Sequence, residues 1–169
     1  VKVINTHKFK VINESVKKTD KHDAQTIAEF LEKDMIPEAR LCSEYSENLR
    51  RLLRVRRNLV RMTVMIKNQI HGALTSAGIE DGKATLQSKR GRQEILNALD
   101  TMKLGLEVHS LVEIIDDLSV HVKKIESEIE KKVSDDGVIE LLQTIPGCGK
   151  ITAWTIRAYT DDVRRFKSA

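Results

Sequence analysis

Aromatic side chains are scarce in this chain, with three Phe, two Tyr and one Trp among 169 residues, and there are only two prolines and eight glycines. So small a supply of turn formers argues against a sandwich or barrel of short strands and for long helices. The two cysteines, Cys42 and Cys148, are far apart. With no CxxC pair and no histidines at ligand spacing, they suggest neither a zinc site nor a disulfide framework, and they fit a reducing cytoplasm. No apolar run approaches the roughly 18 residues that a membrane span needs, and no charged-then-apolar leader follows Val1. The chain starts without methionine, inside what reads as a strand, so we expect an internal fragment of a longer protein.

What is abundant is charge, 32% of residues, and it is segregated although the net charge is only +4. From Asn48 to Ile79 there is no acid, while Arg50, Arg51, Arg54, Arg56, Arg57, Arg61 and Lys67 give a formal +7. From Glu107 to Glu140 ten acids face four lysines, a formal −6. A chain of this length buries about 70% of its unfolded surface, enough for a core.

Periodicity places the elements. Val1 to Ile12, rich in Val, Ile and Lys, reads as one or two strands. Thr19 or Asp20 then caps a helix with Ala24, Ile27, Ala28 and Leu31 on one face, ending before Pro37. From Ser43 to about Ala77, the near-heptad spacing of Leu49, Leu52, Leu59, Ile66, Ile70 and Ala73 predicts a helix long enough to require a helical partner. Gly78 to Arg92 reads as a loop and Gln93 to Met102 as a short amphipathic helix. Leu106 to Val133 reads as a second long helix through Leu111, Ile114, Ile115, Leu118, Val122, Ile125 and Ile129. The expected fold is mainly α: an antiparallel hairpin or coiled coil of the basic and acidic helices, held chiefly by its apolar seam because exposed ion pairs contribute only about 0–1 kcal/mol each. Ser134 to Gly137 breaks the second helix.

Three constellations carry chemistry. Ile145-Pro146-Gly147-Cys148-Gly149-Lys150 joins an apolar segment to a helix through Ala153, Ile156 and Ala158. It resembles a helix-hairpin-helix, in which turn N–H groups and Lys150 grip a phosphate; a tight turn without a ligand is the other reading. A P-loop is excluded by Thr144 and Ile151, and a dinucleotide fingerprint by Thr152. In Lys18-Thr19-Asp20-Lys21-His22-Asp23, two aspartates three apart share a helix face. They can hold a hard cation such as Mg²⁺, or simply complement the helix dipole; His22 reads as solvent-facing. Arg50, Arg54, Arg57 and Arg61 form one basic stripe. Without interleaved acids to offset self-repulsion, the stripe points to phosphate contact; a merely solvated face is the other reading.

In order along the chain, Asn5 with His7-Lys8-Phe9-Lys10, Lys18 to Ala24, Leu49-Arg50 to Val60-Arg61, Lys67-Asn68-Gln69-Ile70-His71, and Ile145 to Gly149 through Arg165-Phe166 resemble the insertion-sequence transposases of the DEDD type. Thr6 departs from the proline that many relatives carry after the asparagine. The resemblance implies a remnant of a RuvC-like catalytic domain over 1–42, a helical coiled-coil region over 43–136, and the start of a C-terminal transposase domain over 137–169. It implies that Asp20 and Asp23 are the last two acids of a Mg²⁺ site, that the first Asp and the Glu lie upstream, and that a nucleophilic serine other than Ser168 lies downstream. It further implies DNA and a structured guide RNA as partners, and self-association through the coiled coil. The nucleic-acid-binding candidates are Lys18, Lys21, Arg50, Arg54, Arg57, Arg61, Lys67, Gly147, Gly149 and Lys150. A non-catalytic helical module that binds nucleic acid and dimerises is the alternative.

Overall fold

A computed structural model describes residues 3–10, 19–79, 85–99 and 105–166. Contacts divide the chain into two units, Val1–Ser43 and Glu44–Ala169.

In the first unit, α1 spans Asp20–Glu32. Thr19 is its N-cap, in extended conformation, with its hydroxyl accepting from the His22 N–H; the expected start is confirmed. The strand expected over residues 1–12 is absent among the described residues. Val3–Ala39 and Asn5–Pro37 exchange backbone hydrogen bonds around an isolated antiparallel bridge, Ile4 with Glu38. The chain then turns at Asn5, whose carbonyl accepts from the N–H groups of Lys8 and Phe9, and this turn ends the pairing. Val11 and Ile12 lie outside the described residues. The helix face also differs from expectation, because Ala24, Ala28 and Leu31 are exposed. The buried contact is instead Phe9 edge-on to Phe30, centroids 5.1 Å apart, a geometry that contributes about 0.5–1.5 kcal/mol beyond area burial.

The second unit is built on two long helices, α2 (Glu44–Ser76) and α4 (Gly105–Val133), with α3 (Lys89–Leu99), α5 (Gly137–Gln143) and α6 (Lys150–Thr160) at their ends. The hairpin is antiparallel: Leu49 and Leu53 near the start of α2 share a cluster with Ile129 and Val133 at the end of α4, joined by Ile139, Ala153, Trp154 and Ala158. The opposite end packs Ile70 and Leu74 against Val108, Val112 and Ile115, closed by Leu86, Ile95 and Leu99. Arg56 and Glu126, 2.7 Å apart, link the two long helices. Two positions assigned to the core, Ile114 and Ile156, are instead 44% and 40% exposed, and their places are taken by neighbours such as Val112 and Trp154.

The expected loop over 78–92 gives way to helix from Lys89, because the Ser88 hydroxyl accepts from the Gly91 N–H and caps α3. Asp136 caps α5 in the same manner, accepting from the Val138 N–H. Between α5 and α6 the chain turns at Pro146-Gly147, where Gly147 has φ +84°, a left-handed value that suits glycine. No helix among the described residues is long and apolar enough to cross a membrane.

Candidate functional site

Asp20 is the first residue of α1 and Asp23 lies one turn on, so their Cβ atoms sit on one face about 5–6 Å apart by helical geometry. Asp20 is exposed and Asp23 half-buried. Neither joins an ion pair or a side-chain hydrogen bond among the described residues. Thr19 already supplies the helix cap, which leaves both carboxylates with lone pairs to offer a cation. Two oxygen donors are a partial set for Mg²⁺, which commonly takes one or two carboxylates with water and substrate phosphate completing its shell. Among the described residues no third acid, histidine or cysteine joins them. Lys21 is exposed on the same helix; His22, expected to face solvent, is half-buried; Lys18 lies outside the described residues.

The basic stripe of α2 divides in two. Arg50 turns inward, its Nε donating to the Ala158 carbonyl at 2.8 Å while its guanidinium lies 5.0 Å over the Tyr159 ring. It fastens α6 to α2. Arg54, Arg57 and Arg61 are exposed and have no hydrogen-bond or ion-pair partner among the described residues. Arg54 and Arg57, with Arg56, line a cavity of about 140 Å³ shared with Leu53 of α2 and with Ile151, Thr155 and Tyr159 of α6. Lys67 stands apart from this group. Its ammonium donates to Gln87 at 2.7 Å, and burial, helped by the positive charge of Arg92, lowers its pKa.

At the glycine turn, Gly147 and Gly149 are exposed, and Gly149 caps α6 without a side-chain bond. Lys150 reaches Glu130 at 2.7 Å, which raises its pKa through hydrogen bonding and charge. Its charge is therefore shared with α4 rather than held free over the turn.

A second polar cluster gave no local signal in the sequence. Asp136 accepts from both Tyr45 and Arg157, each at 2.8 Å, and the Arg157 guanidinium lies 5.1 Å over the Tyr45 ring. Burial, the hydrogen bond to Asp136 and that carboxylate's charge push the Tyr45 hydroxyl up to about 12. Arg157 also donates to the Asp161 carbonyl at 2.7 Å, and Ser46, fully buried, bonds the Asp161 carboxylate at 2.8 Å. These contacts hold Asp161 at φ +57°, an uncommon value for a non-glycine residue. Their partners lie 91 and 115 residues apart for Tyr45–Asp136 and Ser46–Asp161, so only the folded chain shows them.

Comparison with known proteins gives the class first: residues 1–79 match a family described as transposase, of the DEDD type. Residues 139–169 match the transposase IS116/IS110/IS902 family. The chain is thus similar to the IS110/IS116 transposases over both of these stretches. It is 25% identical over 89% of its length to a protein named probable family 20 transposase from Pseudomonas aeruginosa. It is 29% identical over 90% of its length to the transposase for insertion sequence element IS1328 from Yersinia enterocolitica, and 25% identical over 88% to that for IS1111A from Coxiella burnetii. The chain spans less than half of these relatives, 46%, 46% and 42% of their lengths in the same order. No solved structure matches. All the candidate residues named from sequence fall within the two matched ranges.

Proposed function

We propose that this chain is part of a DNA transposase whose intact form cleaves and rejoins DNA with a divalent cation, and that Asp20 and Asp23 are two of the carboxylates that hold it. The observation that carries the reading is the pair itself: two acids on one face of α1, with no protein partner among the described residues, at a helix start already capped by Thr19. Both acids complement the dipole of α1, and among the described residues neither serves as the cap or pairs with a base, which leaves their oxygens open to a cation. When bound, Mg²⁺ would activate the attacking oxygen and stabilise the leaving one. The carboxylates would fix its place, and the exposed arginines of α2 would neutralise backbone phosphates of the nucleic acid.

Further parts of the reading rest on the family resemblance: a guide RNA that selects DNA by base pairing, a serine nucleophile elsewhere in the parent, and self-association through the hairpin. The turn at Gly147 and Gly149, with Lys150, is a second phosphate contact of helix-hairpin-helix type. Here the sharing of Lys150 with Glu130 lets it contribute less than the free arginines.

The test uses the intact parent transposase. Asp20→Asn and Asp23→Asn are each expected to lower excision by more than the roughly 10- to 100-fold that loss of even an outer-shell metal partner costs, with DNA binding retained. Wild-type excision by both variants would end the assignment of these carboxylates as cation ligands.

A further inference from the structure

Beyond the exposed stripe, the cleft where α2 meets α6 combines three things that a plain basic surface lacks. Arg54 and Arg57 present guanidinium groups with no partner among the described residues, whereas Arg56 beside them is already committed to Glu126. The floor is apolar, formed by Leu53, 8% exposed, and half-buried Ile151. The wall is Tyr159, an aromatic ring left 50% exposed. That ring is held in place: Arg50 lies over it at 5.0 Å and donates to the carbonyls of Ala158 and Tyr159, on either side of the Tyr159 Cα. A tyrosine wanted only for packing gains little from being pinned half in water.

Free cations beside an apolar and aromatic wall suit one ligand chemistry better than others. A duplex offers phosphates and sugars on its outside but keeps its base faces stacked, so it would use the arginines and leave the wall idle. An unpaired nucleotide uses both, its phosphate on the guanidiniums and its base against the ring. We infer that the α2–α6 cleft seats an unpaired nucleotide of a single strand, with Arg54 and Arg57 on the phosphate, Tyr159 and Ile151 against the base, and Thr155 at the rim. Arg50 acts as a positioning residue for the ring. This rests on the nucleic-acid-binding reading above and adds a strandedness and a place to it. It also makes the junction between the hairpin and the last two helices, rather than the hairpin alone, the point of grip.

The experiment is fluorescence anisotropy of the 169-residue chain with a labelled single-stranded oligonucleotide, as DNA and as RNA, and with a blunt duplex, over a salt series. The Arg54→Ala/Arg57→Ala double variant should reduce the slope of log K against log salt for the single strand by about 1.4, at roughly 0.7 per contact. Tyr159→Ala should weaken single-strand binding roughly 5- to 150-fold, the effect of losing one stacked base, while changing duplex binding little. Tyr159→Phe should bind as the wild type does, and circular dichroism melts should show both Tyr159 variants folded. The DNA and RNA arms show which strand the cleft prefers. If the wild-type chain binds neither single strand nor duplex, the nucleic-acid reading falls and takes this one with it. If it binds but the double variant keeps the full slope, or Tyr159→Ala weakens duplex and single strand equally, the cleft is not the seat and only the broader reading stands.

Discussion

In the unit Val1–Ser43, the helix that carries Asp20 and Asp23 buries none of its thirteen residues, whereas in Glu44–Ala169 each end of the hairpin closes over side chains at or near zero exposure. The first unit holds its bridge and helix by a few backbone bonds and one aromatic pair; the second combines two apolar clusters with a polar network at one end and the Arg92–Asp116 pair at the other. The contrast separates stability from chemistry. Substitutions in α1 have little packing to disturb and should show up in reaction or binding, while substitutions at the hairpin ends should show up in unfolding. It also explains why the free arginines can stay exposed: they stand on a helix held at both ends.

The sharpest break of that contrast is Trp154→Ala. Trp154 is 2% exposed in the cluster that joins α2, α4, α5 and α6, and its truncation is expected to cost about 3–5 kcal/mol in denaturant unfolding. A cost under about 1 kcal/mol would mean that this end is not the anchor described. A smaller effect concerns pH. Tyr45 has its hydroxyl raised in the folded state, so the folded protein keeps a proton that the unfolded chain releases. Its contribution is complete below the ordinary tyrosine value of 10.0 and is lost as pH rises toward about 12. Urea melts across that interval should therefore show falling stability, and Tyr45→Phe should flatten the fall; identical slopes for the two proteins would remove Tyr45 as its source. The least effect is expected at Leu31→Ser on α1, where the side chain is 49% exposed, and a change within about 0.5 kcal/mol is predicted by the same unfolding measurement.

Much of the scaffold was legible because both long helices repeat apolar residues at near-heptad spacing, and their ends fall within a residue or so of the structure's Glu44–Ser76 and Gly105–Val133. The start of α1 was legible from Thr19. What periodicity misread were the places where one contact overrides pattern. The apolar look of residues 1–12 suggested one or two strands, yet among the described residues the segment makes only the bridge to Glu38, turns at Asn5 and gives its Phe9 to Phe30. The hydroxyl of Ser88 starts a helix inside a stretch whose polarity suggested a loop. At the candidate site, sequence could line up Arg50 with Arg54, Arg57 and Arg61 but could not show that Arg50 is spent on Ala158 and Tyr159, or Lys150 on Glu130. Those partners come from other helices, and no spacing rule reaches across them. Thr155 and Tyr159 were passed over for the same reason.

The central claim, that Asp20 and Asp23 hold a cation, is tested most directly by changing the metal preference of the proposed parent transposase rather than only its activity. A thiolate is a softer ligand than a carboxylate and suits Mg²⁺ poorly. Excision by Asp20→Cys, measured with Mg²⁺ and then with Mn²⁺ or Cd²⁺, should be silent with Mg²⁺ and partly restored with the softer ion, while the unaltered protein shows no such inversion. Excision by Asp20→Cys at the wild-type rate with Mg²⁺ would contradict the claim.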